Sequence, residues 1–155
     1  MLTIPKVLLD QVHAHVTAAY PNEACGLLLG DLQQTVGGST MHVVVRIEAT
    51  ANVADQLSAF ESHVPGSLSN RYLISPDDYV RIDRAAHAEN LDIIGIFHSH
   101  PDHPATPSRE DLRTAWLGLS YVIVSVQRGA AADTTSWRLM ATGTAFESES
   151  IRLIE

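Results

Sequence analysis

An α/β fold, a mixed sheet covered by helices, is what this sequence predicts. Helix-like and strand-like periods interleave along the chain instead of clustering in separate halves. The strand-like runs are short, apolar and bounded by glycine or turn residues. The length of 155 residues suits one domain, since roughly 100–200 residues per domain is usual. No repeat, low-complexity tract or long linker divides it, so a single domain over residues 1–155 is expected.

The elements follow in order. PKVLLDQVHAHVTAAY (5–20) predicts a helix, with Pro5 at its first position and Leu8, Val12, Val16 and Ala19 on one face. ACGLLLGD predicts a buried strand closed by Gly30. MHVVVRIEAT predicts a second, entered through Gly37 and Gly38. Residues 50–70 are irregular and polar; a loop this long is usually functional or disordered, and here it is expected to border a substrate groove. RYLI (71–74) predicts a short strand. Ser75 then caps a helix over SPDDYVRIDRAAHAENL, whose first turn is acidic, as the helix dipole favours. DIIGIFHSH (92–100) predicts a strand and residues 107–117 a short helix. YVIVSVQ and SWRLMATG predict strands joined by a Gly/Ala/Asp turn, with a last strand around 145–154.

Composition narrows the function. Apolar residues make up 45% and charged residues 18%, which disfavours disorder. The net charge is −8 and the ten basic residues are scattered, so a phosphate-backbone partner is not expected. No apolar run approaches the ~18 residues of a membrane span. Lys6 and Asp10 interrupt any signal-peptide core, and a soluble, cytoplasmic protein is expected. The single cysteine, Cys25, rules out an internal disulfide and a zinc site built on CxxC pairs.

The chemistry concentrates in HSHPDHPATPSRED (98–111), which directly follows the apolar run IIGIF. On a strand, His98 and His100 point to the same face, roughly 7 Å apart along the chain. Two imidazoles so placed can converge on one ion. Pro101 has no N–H for the ladder and ends the strand. Thr106-Pro107 then reads as an N-cap followed by a first helical proline. This puts Ser108 and Asp111 on one face of the next helix, where Asp111 can supply a third ligand. Three protein ligands plus water is the pattern of a catalytic zinc site.

Blander readings stand beside this one. Strand-end histidines are often surface residues, and Ser108 with Asp111 can form a variant capping box. His103 suits the surface or the surroundings of the site better than a ligand position. His13, His15, His42, His63 and His87 show no ligand spacing. A hydrolase also needs a proton carrier, and Glu23, Glu48, Glu61, Glu89 and Glu110 are candidates. Glu23 stands out because it enters an apolar strand, where a carboxylate is costly to solvate. Cys25, two residues on, suits packing better than nucleophilic attack.

EACGLLLG (23–30) followed by HSHPDHPATPSRED resembles the JAMM motif of the JAB1/MPN/Mov34 (MPN+) metalloenzymes. That pattern, a glutamate upstream, then His-x-His-Pro and Ser-x-x-Asp, is filled by Glu23, His98, His100, Pro101, Ser108 and Asp111. The compact length is similar to the prokaryotic branch. The resemblance implies a mostly antiparallel curved sheet flanked by helices, layered as in cytidine deaminases. It implies a zinc-dependent peptidase or isopeptidase with His98, His100 and Asp111 on Zn2+, Glu23 as acid–base and Ser108 as oxyanion donor. It implies, as substrate, a ubiquitin-like or sulfur-carrier protein, cut after its C-terminal Gly-Gly. Three rivals share the layering or the motif: a metal-free interaction scaffold, which typically lacks a ligand; a DNA-repair relative, disfavoured by the acidic charge; and a cell-wall or phage peptidase with the same catalytic residues. A nucleoside deaminase needs His-x-Glu and Pro-Cys-x-x-Cys, which are absent.

Overall fold

The computed structural model describes residues 1–59 and 67–155. Its strands are β1 (Leu2–Pro5), β2 (Cys25–Gln34), β3 (Thr40–Thr50), β4 (Asp92–Pro101), β5 (Ser120–Gln127), β6 (Ala130–Leu139), β7 (Phe146–Glu149) and β8 (Ile151–Ile154). Its helices are α1 (Lys6–Ala19), α2 (Pro76–Ala88) and α3 (Arg109–Thr114), with a 3₁₀ turn at Ala54–Ala59. All eight strands form one sheet in the order β7-β6-β5-β4-β2-β3-β1-β8. The pairs β2/β3, β2/β4, β5/β6 and β6/β7 are antiparallel; β1/β3, β1/β8 and β4/β5 are parallel. The α/β expectation, a mixed and mostly antiparallel sheet with helices on it, is met.

The sheet is strongly curved. Its two edge strands, β7 and β8, are separated in sequence by Ser150 alone, so the edges are brought together. The Ser150 carbonyl, between the two edges, accepts the Leu2 N–H at 2.9 Å and extends the β1/β8 ladder.

Both faces of the central strands are covered, which is why they read as continuous apolar runs and not as alternating ones. Leu9, Val12 and Val16 of α1 pack with Leu28, Ile94, Phe97, Val122 and Val124. Ile82 and Ala86 of α2 pack on Leu27 and Leu29, joined by Ile74, Tyr79 and Ile96. Gly26 is dictated by this packing: a Cβ there would collide with the Phe97 ring and the Glu48 carbonyl.

Several boundaries differ from the sequence expectation. A short strand, β1, precedes α1, and Pro5 is the N-cap of that helix while Lys6 opens it. Gly30 does not close β2, which runs on to Gln34 through an irregularity at Leu29/Gly30. β6 starts at Ala130, so most of the expected Gly/Ala/Asp turn is paired strand. The last strand is two strands on opposite edges. RYLI is not a strand. Its backbone bonds are taken elsewhere: the Asn52 side chain donates to the Arg71 carbonyl and accepts from Leu73 N–H, and Leu73 O accepts from Val53 N–H. Among the described residues, no helix is long and apolar enough to cross a membrane.

Candidate metal centre

β4 carries His98 and His100 out of the core on the face that Ile96 shares, beyond the part that α2 covers. His98 is wholly buried and His100 nearly so. The turn after Pro101 returns the chain, and α3 brings up Asp111, also buried. The N-cap of α3 is Ser108, not the expected Thr106, and Pro107 stands outside the helix. Ser108 Oγ accepts the Asp111 N–H at 3.0 Å and Asp111 Oδ2 accepts the Ser108 N–H at 2.7 Å. The capping box is therefore formed, and it fixes the Asp111 carboxylate in a single orientation toward β4.

His98 Nε2 lies 3.1 Å from Asp111 Oδ1, His100 Nε2 lies 3.3 Å from Asp111 Oδ2, and the two Nε2 atoms are 3.1 Å apart. Ligand bonds of ~2.0–2.1 Å in a tetrahedron demand donor atoms about 3.3–3.4 Å apart. The three side chains thus fit one small divalent ion with little adjustment. His100 Nδ1 is 2.9 Å from the Pro104 carbonyl, which only accepts. The proton of a neutral His100 is therefore on Nδ1 and its Nε2 lone pair is free, as a metal ligand requires. His98 Nδ1 is buried with no polar partner among the described residues.

Electrostatics separates the three groups. Burial opposes ionisation of Asp111, but hydrogen bonds from His100, His98 and the Ser108 N–H outweigh it and hold the carboxyl well below its ordinary range. Burial lowers His98. His100 is raised: burial works against its charge, but the hydrogen bonds to Asp111 and the Pro104 carbonyl prevail.

Glu23 arrives from another element. It stands just before β2, where Ser99 of β4 grips its neighbour: Ala24 N–H donates to Ser99 Oγ at 2.9 Å, and Ser99 N–H to Ala24 O at 3.0 Å. The Glu23 N–H donates to Leu68 O at 2.7 Å, and its carbonyl accepts from Asn52 Nδ2 at 3.1 Å. Its carboxyl is pushed up to about 8, first by burial; the charge of His100 opposes this and that of Asp111 adds to it. A cavity of about 340 Å³ is lined by Glu23, His100 and Ser108, with Ser69, Asn70 and Pro104 on its rim. A buried carboxyl, an imidazole and an exposed serine thus line one cavity.

The family model described as prokaryotic homologs of the JAB domain matches residues 5–140. The chain belongs to the prokaryotic JAB family. It is 30% identical over 123 residues to a probable TtuB-protein conjugate cleaving protease of Thermus thermophilus, covering 79% of this chain and 69% of that protein. It is 32% identical over 107 residues to a desampylase of Haloferax volcanii, covering 68% of this chain but only 63% of that relative. Among solved structures it resembles a Desulfitobacterium hafniense protein (TM-score 0.77, 27% identity, 100% of this chain and 94% of that one). It also shares the fold of a JAB1/MPN domain protein from Archaeoglobus fulgidus (TM-score 0.55, 18% identity, 99% of both chains).

Within this JAB domain the remaining candidates sort themselves. Glu48 and Glu89 are paired with Arg46, and Glu110 with Arg71 and Arg113, so their carboxylates are committed. Glu61 and His63 lie outside the described residues, as does the centre of the expected groove loop. His103 lines the cavity wall but is not one of the three converging side chains; its carbonyl accepts from Ser125 Oγ at 2.7 Å. Cys25 does not share a strand face with Glu23, which precedes the strand. Its thiol is buried 3.5 Å from Thr50 Oγ1, and burial pushes it up to about 11, which makes it a poor nucleophile. His42 is fully buried and bonded to Ser120.

Sequence reasoning missed two residues. Asn52 ties the 71–73 segment to the Glu23 backbone through both ends of its amide. Tyr72 stacks on His98, with ring centroids 4.3 Å apart and planes 22° apart. Neither sits in a motif or at a telling spacing; only the fold brings them to the site.

Proposed function

We propose that this JAB domain, residues 1–155, is a cytoplasmic zinc-dependent peptidase or isopeptidase that hydrolyses the bond after the C-terminal Gly-Gly of a ubiquitin-like or sulfur-carrier protein. The observation that carries this reading is the convergence of His98 Nε2, His100 Nε2 and the two Asp111 carboxylate oxygens within 3.1–3.3 Å, beside the buried Glu23 carboxyl, which has no ion-pair partner among the described residues. The names of the two relatives, a conjugate-cleaving protease and a desampylase, support the substrate class.

His98 Nε2, His100 Nε2 and an Asp111 oxygen would hold the ion. A zinc ion held there would supply Lewis acidity, lowering the pKa of water toward neutrality. Glu23 takes the proton of the attacking water and returns it to the leaving amine, a task suited to a carboxyl raised by burial. Ser108 Oγ is occupied as an acceptor by the Asp111 N–H, so its own proton is free to donate to the developing oxyanion. Asp111 therefore positions Ser108 as well as the ion. Glycine at the scissile bond lets the substrate backbone approach these groups, where a side chain would crowd the cavity rim.

The test is zinc content on wild type and Asp111→Ala, followed by cleavage of a ubiquitin-like protein fused through its Gly-Gly tail. We expect about one zinc per wild-type chain, loss in the variant, and cleavage only with zinc present. A wild type that takes up no zinc after reconstitution is not a zinc hydrolase but a binding module. Zinc without cleavage of any diglycine fusion would redirect the search to other peptides.

A further inference from the structure

An imidazole turns about two bonds, so something must hold its plane if Nε2 is to face a cation. For His100 the bond from Nδ1 to the Pro104 carbonyl does this. His98 has no such bond, because its Nδ1 is buried without a polar partner among the described residues. Histidine ligands ordinarily donate their second N–H to a carboxylate, carbonyl or water, and that contact sets ring and tautomer. What His98 has is a ring: Tyr72 lies face to face with it at 4.3 Å. Tyr72 sits on a segment fastened from both sides, by Asn52 at Arg71 and Leu73, and by the Arg71–Glu110 ion pair at 3.5 Å that reaches α3. The same ring borders an apolar cavity of about 430 Å³ that Ile74 and Trp116 also line.

We infer that Tyr72 is the positioning residue of His98, holding the imidazole by stacking where His100 is held by a hydrogen bond. The inference rests on the zinc-site reading above. Two effects work together. The stack restricts rotation of a ring whose Nδ1 has no hydrogen-bond partner among the described residues to do so. An imidazole that gives its lone pair to a cation becomes electron-poor, and the face of a phenol ring attracts positive charge, so the contact strengthens as the ion binds. The hydroxyl plays no part in either effect.

The experiment measures zinc affinity by chelator competition on the full chain, with no turnover needed. Tyr72→Phe keeps the ring face and is expected to bind zinc as the wild type does. Tyr72→Leu is expected to bind 10–100-fold more weakly, the range for losing a partner that orients a ligand. Tyr72→Met repeats the comparison with a second side chain that has no ring. Ile74→Ala, on the same segment and cavity, is the control and should bind normally. In the metal-free proteins, the His98 ring protons should carry the ring-current shift of the aromatic neighbour in wild type and Tyr72→Phe and lose it in Tyr72→Leu. Wild-type affinity in Tyr72→Leu and Tyr72→Met overturns the inference, as does an equal loss in Ile74→Ala. If the wild type itself binds no zinc, the site reading falls and this inference with it, a result distinct from zinc bound equally by every variant.

Discussion

At the seam where the sheet edges meet, His42, Ser120 and Glu149 form a buried polar cluster much like His98, His100, Asp111 and Ser108 at the end of β4. Ser120 Oγ donates to Glu149 Oε2 at 2.7 Å, so at 2.8 Å from His42 Nδ1 it accepts that ring's N–H. Ser136 Oγ also donates to Glu149 Oε2, and the Met1 ammonium stands 3.1 Å from Oε1. His42 and Ser120 are fully buried. Histidine, serine and carboxylate thus occur together twice. At the seam each carboxylate oxygen has its cation or donor, and the result is a rivet between β1, β3, β5, β6 and β7. At the end of β4 two imidazole nitrogens and a carboxylate converge on one another within 3.1–3.3 Å. Chemical capability follows from donor atoms that converge on one point beside a cavity, not from residue type.

The contrast can be broken most sharply at Glu23. Glu23→Gln should retain zinc and lose on the order of 10²–10⁴-fold in turnover, the usual worth of a general acid–base group; near-normal turnover would remove Glu23 from the mechanism. Next comes pH. His100 is raised, so in the free site its Nε2 is protonated below a value that lies above the ordinary 6.5. Zinc affinity should therefore be complete at alkaline pH and fall by about tenfold per pH unit once pH drops below that value, since ligand protons compete with the metal. Chelator competition at pH 8 and pH 6 measures it, and a flat profile would show that His100 Nε2 is not a ligand.

At the seam the expected effects are on stability alone. Ser120→Ala strands the His42 Nδ1–H and should cost about 1–3 kcal/mol in urea unfolding, the cost of an unsatisfied buried donor. Its zinc affinity should match the wild type; a loss there would mean that the two clusters are coupled across the sheet. The smallest effect belongs to Cys25→Ser. Its thiol touches Thr50 and is not aimed at the centre, so cleavage rates should be unchanged, and a dead variant would reopen the cysteine mechanism.

The main elements were legible because burial writes itself into hydrophobic period: α1 buries Val12 and Val16 as expected, with Leu8 and Ala19 partly buried and Leu9 taking a core place, and the apolar runs at β2, β4 and β5 are core strands. The convergence of His98, His100 and Asp111 was legible for the same local reason, since i and i+2 on β4 share a face and a short helix follows, although its cap is Ser108 where Thr106 was expected. RYLI was misread because an apolar, β-prone run becomes a strand only if a partner strand offers its backbone, and here the Asn52 amide takes that place. β1 and the split of β7 from β8 were hidden because four-residue strands carry too little pattern of their own.

The sequence by itself determined the chemistry available: a glutamate entering an apolar strand, two histidines on one strand face, and a serine and an aspartate that close a helix turn. These are relations within a few residues, set by the periods of helix and strand. Only the tertiary structure decided which carboxyl faces the cavity beside His98, His100 and Asp111. Ser99 and Asn52 hold the Glu23 backbone against β4, while Glu48, Glu89 and Glu110 pair with Arg46, Arg71 and Arg113. Tyr72 reached His98 across 26 positions of sequence for a like reason. Such contacts depend on how distant segments pack, and packing energy is shared among too many residues for any local pattern to record it.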